Sequence, residues 1–450
     1  MTGGPPLSDQ APGGLGDSGP NLPDQDTMNL ERGTGHPPGG PGGGMAGELE
    51  AAAASADAAQ EQKVSWLELF FDLVFVVAFD QLAKRLGGAP TLGSVAEFTL
   101  LFAAVWWAWS GNTVYAARYG NDGRLYRWAT LGELISIGMI ALTLRGDLHD
   151  IGGAFALAFG VNRAIQAALH LWVGRESPEL RGFARRLGVA TGLSALVWMG
   201  SALLPWGGGA QLVAWTLALL LEVFTPILAR DAGRAALPHA GHLPERVGLL
   251  QIIALGEIVT EVVGGARQQR LSVATLLPSL CAIILAVSLW RLYFDQARGL
   301  PLLGAHLQGR VSSMLAWLYG HFPFTLSVVM LSVGAGHSIS SASAQQAATL
   351  QQFVAWPLAG ALATLAFLRW TTLRLTGRRT DRSLWALLLG AALAALLGPT
   401  DLDPLRLHAL SAALAVGVAV VVAGDASTRR LGQIEQRITA RLEEDPEPET

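Results

Sequence analysis

Residues 66–80 read Trp66-Leu-Glu68-Leu-Phe-Phe-Asp72-Leu-Val-Phe-Val-Val-Ala-Phe-Asp80, an aliphatic and aromatic run broken only by acids. Continued to residue 87, it meets the roughly 20 residues a helix needs to cross the hydrocarbon core of a bilayer. Eleven further windows meet or approach that length, at 94–117, 127–146, 151–173, 186–205, 210–229, 246–265, 273–295, 311–336, 353–375, 383–398 and 405–424. The ninth is long and the eleventh short. The expected fold is an all-α polytopic transmembrane bundle of about twelve helices.

Composition agrees. Of the 450 residues, 51% are hydrophobic and only 15% charged, against about a quarter charged in soluble globular domains. The net charge of -4 and the lack of a basic stripe interleaved with aromatics exclude a nucleic-acid partner. The single cysteine, Cys281, excludes an intramolecular disulfide and a thiolate metal cage. The first 47 residues hold 14 Gly and 8 Pro, so 1–62 is expected to be a disordered tail with no secretory signal. Met28 and Met45 lie inside that tract as alternative starts. Residues 426–450 are expected to be a cytoplasmic tail, beginning as an amphipathic helix and ending acidic.

The basic residues orient the bundle. With a cytoplasmic N-terminus, 23 of the 31 Lys and Arg lie on the inner side and 6 on the outer, and Arg163 and Arg369 fall within windows. That bias is the one the positive-inside rule requires. It places both termini in the cytoplasm and the lipid bilayer around the chain. Trp66, Trp106, Trp128, Trp206 and Trp356 lie near window ends, where an indole is expected to anchor at the interface.

Twelve helices divide into halves at 63–240 and 241–425. Glu68 is followed 12 positions later by Asp80, as Glu245 is by Glu257. Trp107 precedes Asn112 by five, as Trp290 precedes Asp295, and the fourth and tenth windows each hold an arginine, Arg163 and Arg369. Six helices per half would make these parallel repeats with a site at their interface; chance similarity is the alternative.

Charged residues inside spans are costly and usually face the bundle interior, paired or functional. Candidates for an ion or solute path are Asp72, Asp80, Glu133, Arg163, Glu257, Glu261, Asp295 and His321. Glu222 and His170 add to the buried set. Glu68, Glu245 and Arg246 read as an interfacial motif, with Glu245 and Arg246 a solvated pair. Glu68 and Asp72 share a helix face and Asp80 flanks it. Structural ion pairing accounts for some of these groups. The acids outnumber the buried bases, and the surplus carboxylates suit a proton relay or a cation site. His239, His242 and Glu245 form a loop cluster of metal-ligating types, but without a second motif it is not assigned as a metal site. Walker, Gly-x-Ser-x-Gly and His-Glu-x-x-His motifs do not occur, so no cofactor, metal or catalytic residue is assigned.

Three stretches carry a family resemblance: Trp66 to Phe79, His242-Leu-Pro-Glu245-Arg246-Val-Gly248 through Gly256-Glu257, and Trp290-Arg-Leu-Tyr293-Phe294-Asp295 followed by Gly320-His321-Phe-Pro323. Together they resemble the bacterial low temperature requirement A (LtrA) family over about 62–425. The resemblance implies a bacterial inner-membrane protein linked by name to growth in the cold, and it supplies no reaction. The first helix is also similar to that of potassium channels with a Phe-Ser-Asp sequence, but Phe71-Asp72 lacks the serine. The leading expectation is a secondary transporter or ion-conducting protein for protons, cations or a small solute. The alternatives are a non-catalytic membrane scaffold or sensor, and an intramembrane lipid-modifying enzyme.

Overall fold

Among the described residues, twelve helices occupy the twelve windows, with a short one inserted. The computed structural model describes residues 64–88, 91–145, 148–203, 209–230, 237–309, 311–340 and 344–434. The tail at 1–62, Trp206 and the chain beyond 434 lie outside the described residues. The helices are α1 (Trp66–Gly88), α2 (Leu92–Tyr119), α3 (Arg124–Thr143), α4 (Leu148–Glu176), α5 (Arg181–Ser201), α6 (Gly209–Leu228), α7 (His242–Arg267), α8 (Val273–Gln296), α9 (Leu300–Gln308), α10 (Val311–Ser340), α11 (Ala344–Leu375), α12 (Arg382–Leu397) and α13 (Pro404–Gly424).

Local chemistry sets several boundaries. Thr91 and Ser94 form a reciprocal capping box at the start of α2, satisfying amides the helix leaves unpaired. Asp381 caps α12 through the Leu384 amide, and Asp403 caps α13 ahead of Pro404, where a missing N–H costs nothing. Eight of the helices are long and apolar enough to cross a membrane: α2, α3, α6, α7, α8, α10, α11 and α13. In α1, α4 and α5, charged and polar residues lower the hydropathy, and α12 has only 16 residues.

The burial pattern is that of a protein surrounded by lipid. Glu68, Asp72, Glu133, Arg163, Arg246, Glu257 and Arg369 are buried, whereas Leu73 and Val77 of α1, Leu217 and Phe224 of α6 and Val287 of α8 are exposed. Water would penalise so large an apolar surface, and hydrocarbon does not. The chain is a polytopic helical membrane bundle. Trp66, Trp128 and Trp356 are exposed in keeping with anchoring. Trp106 is not: it is buried against Trp107, Trp109 and Phe322, because its helix face meets α10 and not the headgroups.

The neighbour relations within the first six helices recur in the last six. α1 packs on α2 and α3, and each of α3 to α5 on its successor; likewise α7 packs on α8 and α10, and each of α10 to α12 on its successor. Contacts between the two sets run principally from α1 and α2 to α7 and α10. Glycine permits the tightest of the packing against α10: a Cβ on Gly265 of α7 would strike the Gly336 backbone, and one on Gly336 would meet the Glu261 carbonyl oxygen at 2.6 Å. The adjacent Gly264 faces open space.

Gly265→Ala is therefore expected to destabilise the bundle by about 1–3 kcal/mol through overpacking. Gly264→Ala should leave thermal unfolding unchanged or slightly improved. Melting of the two variants in the same detergent checks the contrast.

Candidate functional site

The charged residues of α1 and α7 form two separate assemblies. At the first, the Arg246 guanidinium is fully buried and forks between two carboxylates. Its Nε donates to Asp72 Oδ2 at 2.9 Å, Nη2 to Asp72 Oδ1 at 2.7 Å, and Nη1 to Glu68 Oε1 at 2.7 Å. Glu68 and Asp72 are four residues apart, so they stand one above the other on α1. The planar guanidinium then meets both with parallel, charge-assisted bonds.

Other elements complete the shell. Trp109 of α2 donates its indole N–H to Asp72 Oδ1 at 2.7 Å. Glu68 Oε2 accepts from the Ser65 amide at 2.9 Å, the Ser65 hydroxyl at 3.0 Å and the Asn121 amide group at 2.7 Å. His242 Nε2 lies 3.2 Å from Glu68 Oε1, and the Tyr126 hydroxyl 3.5 Å from it. The assembly thus staples α1, α2, α3 and α7 together. The solvated Glu245–Arg246 pair expected from sequence does not form. Glu245 is exposed, because adjacent helical residues diverge by about 100° and only Arg246 faces inward.

The second assembly lies farther along the same two helices. Asp80, Glu257 and Glu261 can bring one carboxylate oxygen each to within 4.8 Å of one another. Lys84, one turn after Asp80, bonds Asp80 Oδ1 and Oδ2, both at 2.7 Å, and Gln81 donates to Oδ2 at 2.8 Å. Glu257 is buried and its Oε1 has no hydrogen-bond partner. Among the described residues, this trio is the one group of side chains arranged to hold a metal ion.

Glu133 and Arg163 belong to a third polar region, inside the first six helices. Asn112 donates to Glu133 Oε2 at 2.8 Å, and the Tyr126 hydroxyl, 3.3 Å from Asn112 Oδ1, links this region to Glu68. Arg163 bonds its neighbour Asn162 and lies 3.3 Å from Glu222 Oε2, which also accepts from Trp107 at 3.0 Å. A cavity of about 60 Å³ opens beside them, lined by Trp107, Gly111, Arg118, Arg163, Gln166 and Glu222; it has room for a few water molecules.

Two path candidates stand apart. Asp295 pairs with Arg291 on its own helix at 3.0 Å. His321 is buried, with Nδ1 2.7 Å from the Trp317 carbonyl and its ring edge-on to Trp317 and Tyr293. Arg369 bonds Asp381 and Ser427 and lies 3.9 Å from Asp425. Sequence reasoning missed Trp109, Asn121, Tyr126 and His242 as carboxylate partners. Neutral donors on four different segments leave no periodic signal, although a lone histidine three residues before the first turn's Glu245 was visible. It also missed the hydrogen bond between Ser338 and His408 at 2.7 Å. His408 Nδ1 has no partner, so the orienting acid of a catalytic triad is missing there among the described residues.

Arg246→Ala would leave two buried carboxylates without a counter-charge, and a loss of about 3–5 kcal/mol is expected. Glu245→Ala, on the exposed face, should stay within about 0.5 kcal/mol. Unfolding monitored by circular dichroism distinguishes them. At the end of α13, burial pushes the Asp425 carboxyl up, but bonds from the Ser383 hydroxyl and the Ser427 and Ser383 amides outweigh it and hold its pKa below the usual 3.8. A depressed carboxyl stabilises the fold fully above its unfolded value and loses that contribution as pH falls through the folded one. Asp425→Asn should therefore flatten the acid limb of the stability profile below about pH 4.

Comparison with known proteins agrees with this architecture. Residues 63–424 match the family model described as bacterial low temperature requirement A protein (LtrA). An uncharacterized protein of Rhizobium meliloti (strain 1021) is 28% identical over 293 residues, covering 62% of this chain and 70% of that one. No solved structure matches. The matched region takes in the α1 acids, the Arg246 staple and the Asp80, Glu257 and Glu261 trio together, and the chain belongs to the bacterial low temperature requirement A (LtrA) family.

Proposed function

We propose that this protein is a secondary transporter or ion-conducting protein of the bacterial cytoplasmic membrane, with both termini in the cytoplasm and two parallel six-helix halves. The observation that carries the reading is the unequal treatment of the acids on α1 and α7. Glu68 and Asp72 are saturated by Arg246 and neutral donors, whereas Asp80, Glu257 and Glu261 face one lysine, Lys84, and the His337 imidazole beside Glu261. Intramembrane carboxylates in excess of their counter-charges mark ion and proton pathways. The recurring neighbour pattern supports the halves. The trio's place on α1 and α7, where the two sets of helices meet, suits a site at a repeat interface. Arg163 and Glu133, with the adjoining cavity, supply polar lining on the inner side.

The second reading is a non-catalytic membrane factor, favoured by the Arg246 assembly itself, in which every charged group is engaged as in a structural lock. An enzyme is the weakest reading, since the hydrogen-bonded Ser338–His408 pair lacks an orienting acid and His321 is packed among aromatics.

Proton and cation flux into proteoliposomes separates these readings. An Asp80→Asn, Glu257→Gln double variant should insert and fold normally while losing at least about 90% of the wild-type flux. Absence of flux in the wild type under every imposed gradient would favour the structural factor.

A further inference from the structure

The acidic trio has the dimensions of a metal coordination sphere. Calcium binds oxygens at about 2.3–2.6 Å, so oxygens across the ion stand at most about 5 Å apart. One oxygen each from Asp80, Glu257 and Glu261 already lies within 4.8 Å of the others, and no helix need move to close the site. The three donors are anionic oxygens, the preference of hard cations.

Glu257 supplies an independent sign of a ligand. The residue is only 2% exposed, yet Oε1 has no hydrogen-bond partner. A buried acceptor left unsatisfied costs about 1–3 kcal/mol, and an ion held between the three carboxylates would remove that cost. The frame is stiff: Glu257 and Glu261 are one turn apart on α7, and the Glu261 backbone is pressed against Gly336 of α10. Charge also points to a divalent ion. The three carboxylates face the Lys84 ammonium and, beside Glu261, the His337 imidazole, so acidic groups outnumber basic ones. The Lys84 side chain is 60% exposed and can swing away from Asp80 at little cost.

We propose that Asp80, Glu257 and Glu261 form a binding site for a hard divalent cation of the Ca²⁺ or Mn²⁺ type, with Lys84 as a tethered cation that takes Asp80 when the metal leaves. The site rests on the ion-conducting reading of the same acids and names the ion class. It lies about 18 Å along α1 from Glu68 by helical rise, on the external side in the proposed topology.

Mn²⁺ is the probe. The full-length protein, purified in detergent and stripped with chelator, is titrated with Mn²⁺ while electron paramagnetic resonance reads the free ion. The expected result is one Mn²⁺ per chain, weakened at least tenfold by Glu257→Gln and tightened several-fold by Lys84→Ala, with helicity and elution volume unchanged. If Glu257→Gln does not fold, Asp80→Asn is read in its place with the same expectation. Lack of stoichiometric Mn²⁺ uptake by the wild type up to about 1 mM, or uptake that neither Glu257→Gln nor Asp80→Asn weakens, overturns the site. Flux assays keep the two claims apart: Mn²⁺ uptake without any transport sustains the site and overturns the transport reading, and proton flux without Mn²⁺ uptake does the reverse.

Discussion

The structure depends on one guanidinium placed where charge is expensive. Arg246 stands in the first turns of α7 yet is withdrawn from solvent completely, and a buried charge is costly unless it is paired and hydrogen-bonded. That position is tolerable because three of its nitrogens meet carboxylate oxygens at 2.7–2.9 Å. The carboxylates are in turn satisfied by an indole, an amide, a hydroxyl and an imidazole. Geometry of this quality is the condition under which a buried ion pair offsets its desolvation. The staple joins residues 174 positions apart in the chain, and it fixes how α7 lies on α1.

Once that register is set, the rest of the α1–α7 junction follows. Asp80 stands about 12 Å beyond Asp72 by helical rise, and Glu257 about 16 Å beyond Arg246. The two helices, held at one end by an ion pair, bring three acids together at the other. One helix pair therefore carries two chemistries. The first assembly is saturated with hydrogen bonds, and it continues through Tyr126 and Asn112 toward Glu133. The second assembly gathers three carboxylates within reach of Lys84.

Much of this was legible before any coordinates. Apolar windows placed the helices, since span length is a local property of the chain. The shared face of Glu68 and Asp72 was legible from the four-residue spacing. The partner of Arg246 was not. Its sequence neighbour Glu245 offered the obvious pairing, yet consecutive helical side chains point apart, and the true partners lie on a distant helix. Trp106 misled for a related reason: position near a window end says nothing about which face meets lipid. The convergence of Asp80 with Glu257 and Glu261 required the α1–α7 register, which only the long-range ion pair provides.

The central claim is that Arg246 and Asp72 are energetically coupled across the junction. A double-mutant cycle of Arg246→Met, Asp72→Asn and their combination, read by equilibrium unfolding in detergent, measures that coupling directly. The structure predicts a double variant markedly more stable than the sum of the single losses implies, with a coupling of at least about 1.5 kcal/mol as found for close charge pairs. Additivity within about 0.5 kcal/mol, the behaviour of independent sites, would contradict it.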